Sequence, residues 1–182
     1  MNVSNRKVHK FIGLVVSVQL LLWTISGIFF SFNKIDQIRG ENYLKSVEQI
    51  TPQKISRISF DEAKELVIEK TYLKPISVEE ITEEKRGSEF RGRNLPLYKL
   101  SSLDSSDKEV NVYIDPSLGK IVAIRTFEWR LWDLMWGLHI MDWRDRDDIN
   151  NLFLKIFSIL ALISSITGII LFLYLSIKPV YY

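Results

Sequence analysis

Hydrophobic and polar residues are distributed unevenly along the chain, in two long apolar runs that enclose a polar middle. Phe11 to Phe32 and Ile156 to Ile177 are each 22 residues long and contain no charged side chain. A helix needs about 20 apolar residues to cross a bilayer. The first run is longer than the roughly 7–15-residue core of a secretory signal, and no small-residue cleavage site follows it. We therefore predict two transmembrane helices, the first of them uncleaved.

The polar middle of the chain, residues 33–126, shows two kinds of periodicity. Ser59 and Glu62 have the spacing of a capping box, and apolar residues follow at helical spacing. Further along, short alternating stretches separated by turn residues predict four strands: Val78–Glu83, Leu95–Leu100, Val110–Ile114 and Lys120–Arg125. A helix followed by an antiparallel meander indicates a small α+β domain with its helix on a sheet. The predicted fold class is a membrane protein with two transmembrane α-helices that flank this domain.

The third predicted strand shows the alternation most clearly. Val110, Val112 and Ile114 are apolar, and Asn111 and Tyr113 lie between them. Successive side chains of a strand point to opposite faces of the sheet. The pattern is typical of a half-buried strand, with the core on one face.

Four of the five tryptophans lie where the chain passes from the polar domain to the second apolar run. Together with one histidine they follow one another at steps of three or four residues: Trp129, Trp132, Trp136, His139 and Trp143. On one helix these side chains would fall within an arc of about 80°. Tryptophan is enriched at membrane–water interfaces. We therefore predict an interfacial segment in residues 127–150, followed by the second transmembrane helix in residues 151–177.

Charge and composition exclude several function classes and favour one orientation. The formal net charge is +2, and the only dense basic block lies in residues 1–10, so nothing indicates nucleic-acid binding. The absence of cysteine excludes disulfides, thiol catalysis, iron–sulfur clusters and covalently attached haem. The basic start favours a cytoplasmic N-terminus. Two spans then return residues 178–182 to the cytoplasm and leave residues 33–126 on the opposite side.

Several motifs, taken in order, resemble the PepSY-associated transmembrane family. The first helix contains Arg6-Lys7-x-His9-Lys10-x-x-Gly13 and, near its far end, Trp23-x-x-Ser26-Gly27. The last strands contain Tyr98 and then Val112-Tyr113-Ile114-Asp115-Pro116-x-x-Gly119-Lys120-Ile121. Leu138-His139 precedes a last helix that contains Thr167-Gly168-Ile169-Ile170-Leu171. The similarity covers nearly the whole chain.

This resemblance implies a bacterial inner-membrane protein whose PepSY domain lies in the periplasm. Larger members of the family are associated with siderophore and iron uptake, and some are ferric reductases whose membrane histidines bind haem b. Soluble PepSY domains are associated with inhibition or regulation of peptidases. The chain departs from the reductase pattern, because it has two predicted spans and only two histidines.

His9 and His139 are the candidate ligands of haem b. They lie at opposite ends of the predicted spans, and the ~30 Å hydrocarbon core prevents them from binding one iron together. Met135 and Met141 are candidate partners for His139, since cytochromes use Met/His pairs. A symmetric homodimer would instead pair each histidine with its copy in a four-helix bundle. Without haem, His9 belongs to a basic lipid-facing anchor and His139 is one more interfacial residue.

Two functions remain open, and so does the question of whether the chain is an enzyme. The first is a haem b-binding electron-transfer component linked to iron or siderophore reduction, working as a homodimer or with another iron-uptake membrane subunit. The second is a non-catalytic membrane anchor that presents a PepSY domain to a periplasmic partner such as a peptidase. No phosphate loop, nucleophile elbow or zinc-ligand pair occurs, so we assign no catalytic residue and no metal site. The acidic stretch Asp142–Asp148 is interpreted as a solvated loop neutralised by its arginines.

Overall fold

The computed structural model describes the backbone of residues 3–45 and 57–177 and the side chains of residues 11–45 and 57–170. The elements, in chain order, are α1 Val3–Phe32, α2 Ile35–Ile38, a 3-10 turn Glu41–Tyr43, α3 Phe60–Lys70, β1 Lys74–Ile81, β2 Leu97–Leu103, β3 Glu109–Asp115, β4 Lys120–Arg125, α4 Phe127–His139 and α5 Leu152–Ile177. The chain divides into two compact units. We call residues 1–29 with 136–182 the helical unit and residues 30–135 the sheet unit.

Within the part of the chain that the structure describes, two apolar helices are long enough to cross a bilayer. The apolar segments are Phe11–Phe32 of α1 and Leu152–Ile170 of α5. Most of their large apolar side chains are exposed, which suits helices surrounded by lipid tails rather than by water. These are the two transmembrane helices of the predicted fold class.

The start of α5 is determined by a side-chain cap. Asn151 Oδ1 accepts a hydrogen bond from the Leu154 N–H at 2.9 Å, so α5 begins ahead of the uncharged run. The same side chain donates from Nδ2 to the Ile140 carbonyl oxygen at 2.9 Å. Asn151 therefore both starts α5 and joins it to the residue that follows α4.

The sheet unit is a four-stranded antiparallel meander in the order β1-β2-β3-β4, with α3 packed on one face. The capping box predicted at the start of α3 is confirmed. Ser59 Oγ accepts from the Glu62 N–H at 3.2 Å, and Glu62 Oε2 accepts from the Ser59 N–H at 2.7 Å. Between helix and sheet lies the larger core, formed by Ala63, Val67, Leu73, Tyr98, Leu100, Val110, Val112, Ile114 and Ile124.

Two of the predicted strand ranges are shifted. β1 begins at Lys74 and ends at Ile81, and β2 begins at Leu97 and ends at Leu103. β1 is an edge strand with largely exposed side chains, so its ends follow backbone pairing rather than burial. β2 begins only after Pro96, which has no N–H to donate to a neighbouring strand.

The second face of the sheet is also covered, which the alternation in β3 does not predict. Tyr113 is only 2% exposed and packs with Leu97 and Ala123 in a smaller core. Phe90 and Leu95, from the segment between β1 and β2, pack against this core. Alternation shows which side of a strand is apolar, but a polar-looking side is buried when a loop supplies partners for it.

The tryptophan-rich segment is helical only as far as His139, so the prediction of one helical face that includes Trp143 is wrong. α4 begins at Phe127 and ends at His139. Trp143 lies in the following loop, where it is exposed and its ring centroid is 6.3 Å from that of Phe153.

A Schellman motif explains why α4 stops at this position. Met141 adopts a left-handed backbone conformation with φ 57°. The Asp142 N–H donates to the Gly137 carbonyl at 3.0 Å, and the Met141 N–H donates to the Leu138 carbonyl at 3.4 Å. These two bonds satisfy carbonyl groups of the last helical turn and reverse the chain. A methionine in the left-handed position is not a sequence signal for a helix end, whereas glycine would be.

Candidate functional site

His139 is the last residue of α4 and lies against α1 inside the helical unit. Its Nδ1 is 2.8 Å from Ser26 Oγ. Its carbonyl oxygen accepts a hydrogen bond from Trp23 Nε1 at 2.7 Å. The last carbonyl groups of a helix have no partner within it, so Trp23 satisfies one of them. α1 therefore holds His139 by both its ring and its backbone.

The contact with Ser26 places the imidazole within the depth of the first transmembrane span. Ser26 lies six residues before the end of the span Phe11–Phe32, which corresponds to about 9 Å along a helix. The end of α4 thus contacts α1 inside the segment of α1 that is apolar enough to cross a bilayer.

The hydrogen bonds of Ser26 favour one tautomer of His139. Ser26 Oγ lies 2.8 Å from the Leu22 carbonyl oxygen and 3.1 Å from that of Trp23. A hydroxyl group has one proton, and a helical serine directs it to a carbonyl one turn earlier. Ser26 Oγ then accepts from the Nδ1–H of His139. The lone pair of the neutral imidazole is consequently on Nε2.

Two indole rings flank the imidazole of His139. Trp136 lies nearly parallel to it, with an interplanar angle of 12° and a centroid distance of 6.3 Å. Trp23 is tilted by 50° at 6.5 Å. Trp136 precedes His139 by three residues, so both lie on one side of α4, as the spacing predicts.

A buried stripe that contains two polar side chains continues along α1 from Ser26 toward the middle of the span. Val16, Gln19 and Ser26 are 2%, 5% and 1% exposed. With Trp23 they follow at steps of three or four residues, so all four share one helix face. Gln19 Nε2 is buried and has no hydrogen-bond partner among the described residues. A buried donor left unsatisfied costs about 1–3 kcal/mol, which distinguishes this stripe from an ordinary lipid-facing surface.

His9, the other candidate ligand, lies in the described backbone of α1, but its side chain is outside the described residues. α1 is helical without interruption from His9 to Ser26, a separation of about 26 Å along its axis. Because His139 is bound at Ser26, the two histidines of one chain lie too far apart to coordinate one iron.

The acidic loop after α4 is organised by the carboxylate of Asp142. Oδ1 accepts from the Asp145 N–H, and Oδ2 accepts from the N–H groups of Asp147 and Asp148, each at 3.1 Å. Burial raises the pKa of Asp142, but the backbone donors outweigh it and hold the pKa below its usual 3.8. Backbone N–H groups therefore stabilise the charged form of this carboxylate. Among the described side chains, no group of three or more histidine, cysteine or acidic residues is arranged to hold a metal ion.

The sheet unit contains a polar group that the sequence analysis did not identify. Glu89 Oε1 accepts from Arg130 Nε at 2.5 Å, and Oε2 accepts from Asn111 Nδ2 at 2.8 Å and Tyr113 OH at 3.1 Å. Burial raises the pKa of Glu89, but these donors outweigh it and lower the pKa below its usual 4.5. Burial and the nearby Glu89 charge raise the pKa of Tyr113. Glu89 is 41 residues from Arg130, so local spacing does not reveal the contact.

Arg125 lies beside this polar group and is only 9% exposed. Its Cζ is 4.2 Å from the centroid of the Trp129 ring, and its Nε donates to the Glu89 carbonyl at 2.9 Å. Arg91 approaches the same ring at 5.7 Å and forms an ion pair with the buried carboxylate of Asp133. Trp129, expected in an interfacial stripe, therefore packs against two guanidinium groups within the sheet unit.

The chain contains two transmembrane helices and, between them in the sequence, a helix-on-sheet domain. It also matches a known sequence family. The sequence model described as the PepSY-associated TM region matches residues 6–176. The chain belongs to the PepSY-associated transmembrane family. The match extends over His9, Ser26 and His139. This PepSY-associated protein has no match among curated proteins or among solved structures.

Because it belongs to this family and contains two long apolar helices, this PepSY-associated protein is a membrane protein whose helices are surrounded by lipid. The predicted fold class is confirmed, because the two spans flank a four-stranded antiparallel sheet with helices.

Proposed function

We propose that this protein is a haem b-binding electron-transfer component of iron or siderophore reduction, with His139 and His9 as the ligands. The observation that carries the proposal is the 2.8 Å contact between His139 Nδ1 and Ser26 Oγ. Metal-binding histidines characteristically use one ring nitrogen while a hydrogen bond holds the other. The contact supplies this arrangement beside the first apolar helix. When bound, haem would supply one-electron transfer.

The residues around His139 fit a flat, largely apolar group. Trp136 and Trp23 lie beside the imidazole and present apolar ring faces. The amide of Gln19, on the same face of α1 as Ser26, has a buried N–H donor without a partner among the described residues. A bound group with a hydrogen-bond acceptor would satisfy that donor.

The chain's own residues have defined tasks in this proposal. Ser26 accepts a hydrogen bond from Nδ1–H of His139, so the neutral imidazole carries its lone pair on Nε2. Trp23 holds the His139 carbonyl and thereby fixes the end of α4 against α1. Such supporting hydrogen bonds set the orientation of a ligand and raise its basicity.

A symmetric homodimer would supply the second ligand at each end of the membrane. A two-fold axis along the membrane normal places His139 opposite its copy and His9 opposite its copy. The four spanning helices would then form a bundle, a fold that binds cofactors between facing helices. In the proposed orientation, both termini are cytoplasmic and the sheet unit is periplasmic. Met135, Met141 or another iron-uptake subunit is the alternative source of the second ligand.

The same contact supports a second function, in which His139 is a structural joint. Its ring bonds to Ser26 and its carbonyl bonds to Trp23 without any cofactor. The protein would then be a non-catalytic anchor that presents its PepSY domain to a periplasmic partner such as a peptidase.

Visible absorbance of the full chain, purified from haem-replete cells, distinguishes the two functions. Haem binding gives a Soret band that weakens strongly in His139→Ala and in His9→Ala. Trp143→Phe is the matched control, because Trp143 belongs to the same segment but lies outside α4. A protein without a Soret band, or a band unchanged in both histidine variants, would contradict the haem proposal and leave the anchor function.

A further inference from the structure

A cavity of about 450 Å³ lies beside β4 and is formed entirely by residues of the sheet unit. Among the described residues that line it are three arginines, Arg39, Arg93 and Arg125, and one carboxylate, that of Glu41. The remaining wall consists largely of aliphatic side chains and the ring of Trp129. The cavity therefore combines an excess of positive charge with an apolar surface.

Arg125 is the buried member of this group, and no described carboxylate forms an ion pair with it. Its hydrogen bonds go to the backbone carbonyls of Glu89 and Ile124, at 2.9 and 3.2 Å. The Glu89 carboxylate is engaged by Arg130, at 2.5 Å. Arginine side chains are seldom buried without a charged partner, because removal of the charge from water is unfavourable. Burial and, second, the charge of Arg93 lower the pKa of Arg125 to about 10.

The guanidinium group of Arg125 is held in one orientation before any ligand arrives. It stacks on Trp129 at 4.2 Å and is fixed by two backbone carbonyls. A planar guanidinium fixed in this way loses little conformational entropy when it binds an anion.

Arg39 and Arg93 are exposed at the mouth of the cavity, and neither forms an ion pair with a described residue. Their side chains are therefore available to an incoming anion. Gly40, next to Arg39, has φ 73° and approaches Ile124 of β4 so closely that a Cβ would lie 2.7 Å from its Cγ2. This close approach brings the backbone beside Arg39 directly against β4.

We propose that this cavity binds the phosphate group of an organic ligand, held by Arg125 together with Arg93 and Arg39. Three guanidinium groups from separate chain segments can each bind one of the three terminal oxygens of a phosphate group. A planar carboxylate has two oxygens, which a single arginine can bind with two parallel hydrogen bonds. A phosphate monoester carries a charge of about −1.5 to −2 at pH 7, which balances the excess of arginine. The apolar part of the cavity would receive the organic part of the ligand. The source is either a free phosphate ester or a phospholipid headgroup.

Titration calorimetry of the full chain in a non-ionic detergent tests the site with four probes. Inorganic phosphate and glycerol phosphate represent free ligands, dihexanoyl phosphatidate represents a headgroup, and dihexanoyl phosphatidylcholine is the zwitterionic blank. All titrations are carried out at matched ionic strength, because exposed charges are screened by salt. The site contains neither histidine, so the result is independent of haem binding.

The test variant is Arg39→Gln combined with Arg93→Gln, since both side chains are exposed and carry no ion pair with a described residue. Arg144→Gln combined with Lys74→Gln is the matched control: it removes the same charge from exposed positions outside the cavity. Loss of charge-assisted hydrogen bonds should raise Kd by about tenfold or more in the test variant. The Kd of the control variant should stay within about twofold of that of the unmodified protein, because the charges it removes are exposed, lie outside the cavity and are screened by salt.

Binding of the phosphate probes with this difference between variants supports the proposal. Phosphatidate that binds at least about tenfold more tightly than glycerol phosphate identifies a lipid headgroup as the source, and equal affinities identify a free ester. Arg125→Lys, which keeps the charge but loses the planar fork, should weaken binding in either case. The proposal is overturned if no phosphate probe binds, or if the control pair loses as much affinity as the test pair.

Discussion

Gly40→Ala is the substitution whose effect on the free energy of unfolding follows most directly from the structure. Gly40 lies in the turn between α2 and the 3-10 turn and adopts φ 73°. An added Cβ would lie 2.7 Å from Ile124 Cγ2 and 2.9 Å from Ile124 Cβ. Ile124 is 3% exposed and belongs to the larger core, and its Cβ is attached directly to the backbone of β4. The overlap cannot be relieved by a rotation at the end of a flexible side chain.

Two terms contribute to the expected loss of stability. A non-glycine residue in the left-handed region costs about 1–2 kcal/mol. Overpacking against a filled core adds about 1–3 kcal/mol. Gly92 provides the matched control, because it has φ 71° and a Cβ added there would have nothing within 4 Å. Gly92→Ala should therefore show only the first term, and the difference between the two variants isolates the overlap with Ile124.

Hydrogen exchange of the full chain in detergent micelles measures this difference in the slowest amides of β3 and β4. Gly92→Ala should lower their protection by about five- to thirtyfold, as 1–2 kcal/mol requires. Gly40→Ala should lower it by a further factor of about five to one hundred or more, from the overpacking term. Equal losses of protection in the two variants would refute the close approach of Gly40 to β4, and with it the wall that this turn contributes to the cavity.

Three further predictions concern the helical unit and the polar group of the sheet unit. In ¹⁵N-histidine NMR spectra, His139 should be protonated at Nδ1, and Ser26→Ala should abolish this preference because the acceptor at 2.8 Å is lost. Glu89→Gln should destabilise the protein near neutral pH and have progressively less effect as pH falls below about 4.5. The folded-state pKa of Glu89 is lowered, so its stabilising contribution is present above the unfolded pKa and is lost as pH falls through the folded one. Gly137→Ala should speed hydrogen exchange in residues 142–148, because its Cβ would lie 3.0 Å from the Asp142 carbonyl oxygen and such overpacking costs about 1–3 kcal/mol.

Each of these predictions has a control of the same chemistry. Ser17→Ala removes a helical hydroxyl that, among the described residues, bonds to the Gly13 carbonyl of its own helix, so the NMR signals of His139 should not change. Glu79→Gln removes an exposed carboxylate paired with Lys99, so it should produce a much smaller pH-dependent effect than Glu89→Gln. Gly168→Ala adds a Cβ with nothing within 4 Å and should leave the loop unchanged. Controls that behave like their test variants would refute the corresponding contact.

Local patterns were sufficient to predict the elements that depend on neighbouring residues alone. The two 22-residue apolar runs predicted the spans. The pair Ser59 and Glu62 predicted the start of α3, because a capping box is closed within three residues. β4, a short strand between clear turn signals, has the predicted bounds. Motifs in the sequence, such as Trp23-x-x-Ser26-Gly27 and Leu138-His139, indicated the family by resemblance.

The site at His139 was predictable only in part. The spacing of Trp136 and His139 placed both on one helix face, since that depends on helical geometry alone. It did not identify Ser26, which is 113 residues away and supplies the hydrogen bond that favours a tautomer. The end of α4 was also missed, because Met141 takes the left-handed position without being a glycine.

By itself, the sequence determined the membrane spans and the helix-on-sheet domain, and it identified the two histidines that we propose as ligands. Only the tertiary structure decided that Tyr113 is buried, that Arg125 lies over Trp129 and that His139 is bound at Ser26. The periodicity of apolar residues shows which side of a helix or strand is apolar, and it depends only on residues a few positions apart in the sequence. A hydrogen bond or a stacked guanidinium depends on the distance and direction between atoms from distant parts of the chain, and these exist only once the chain has folded.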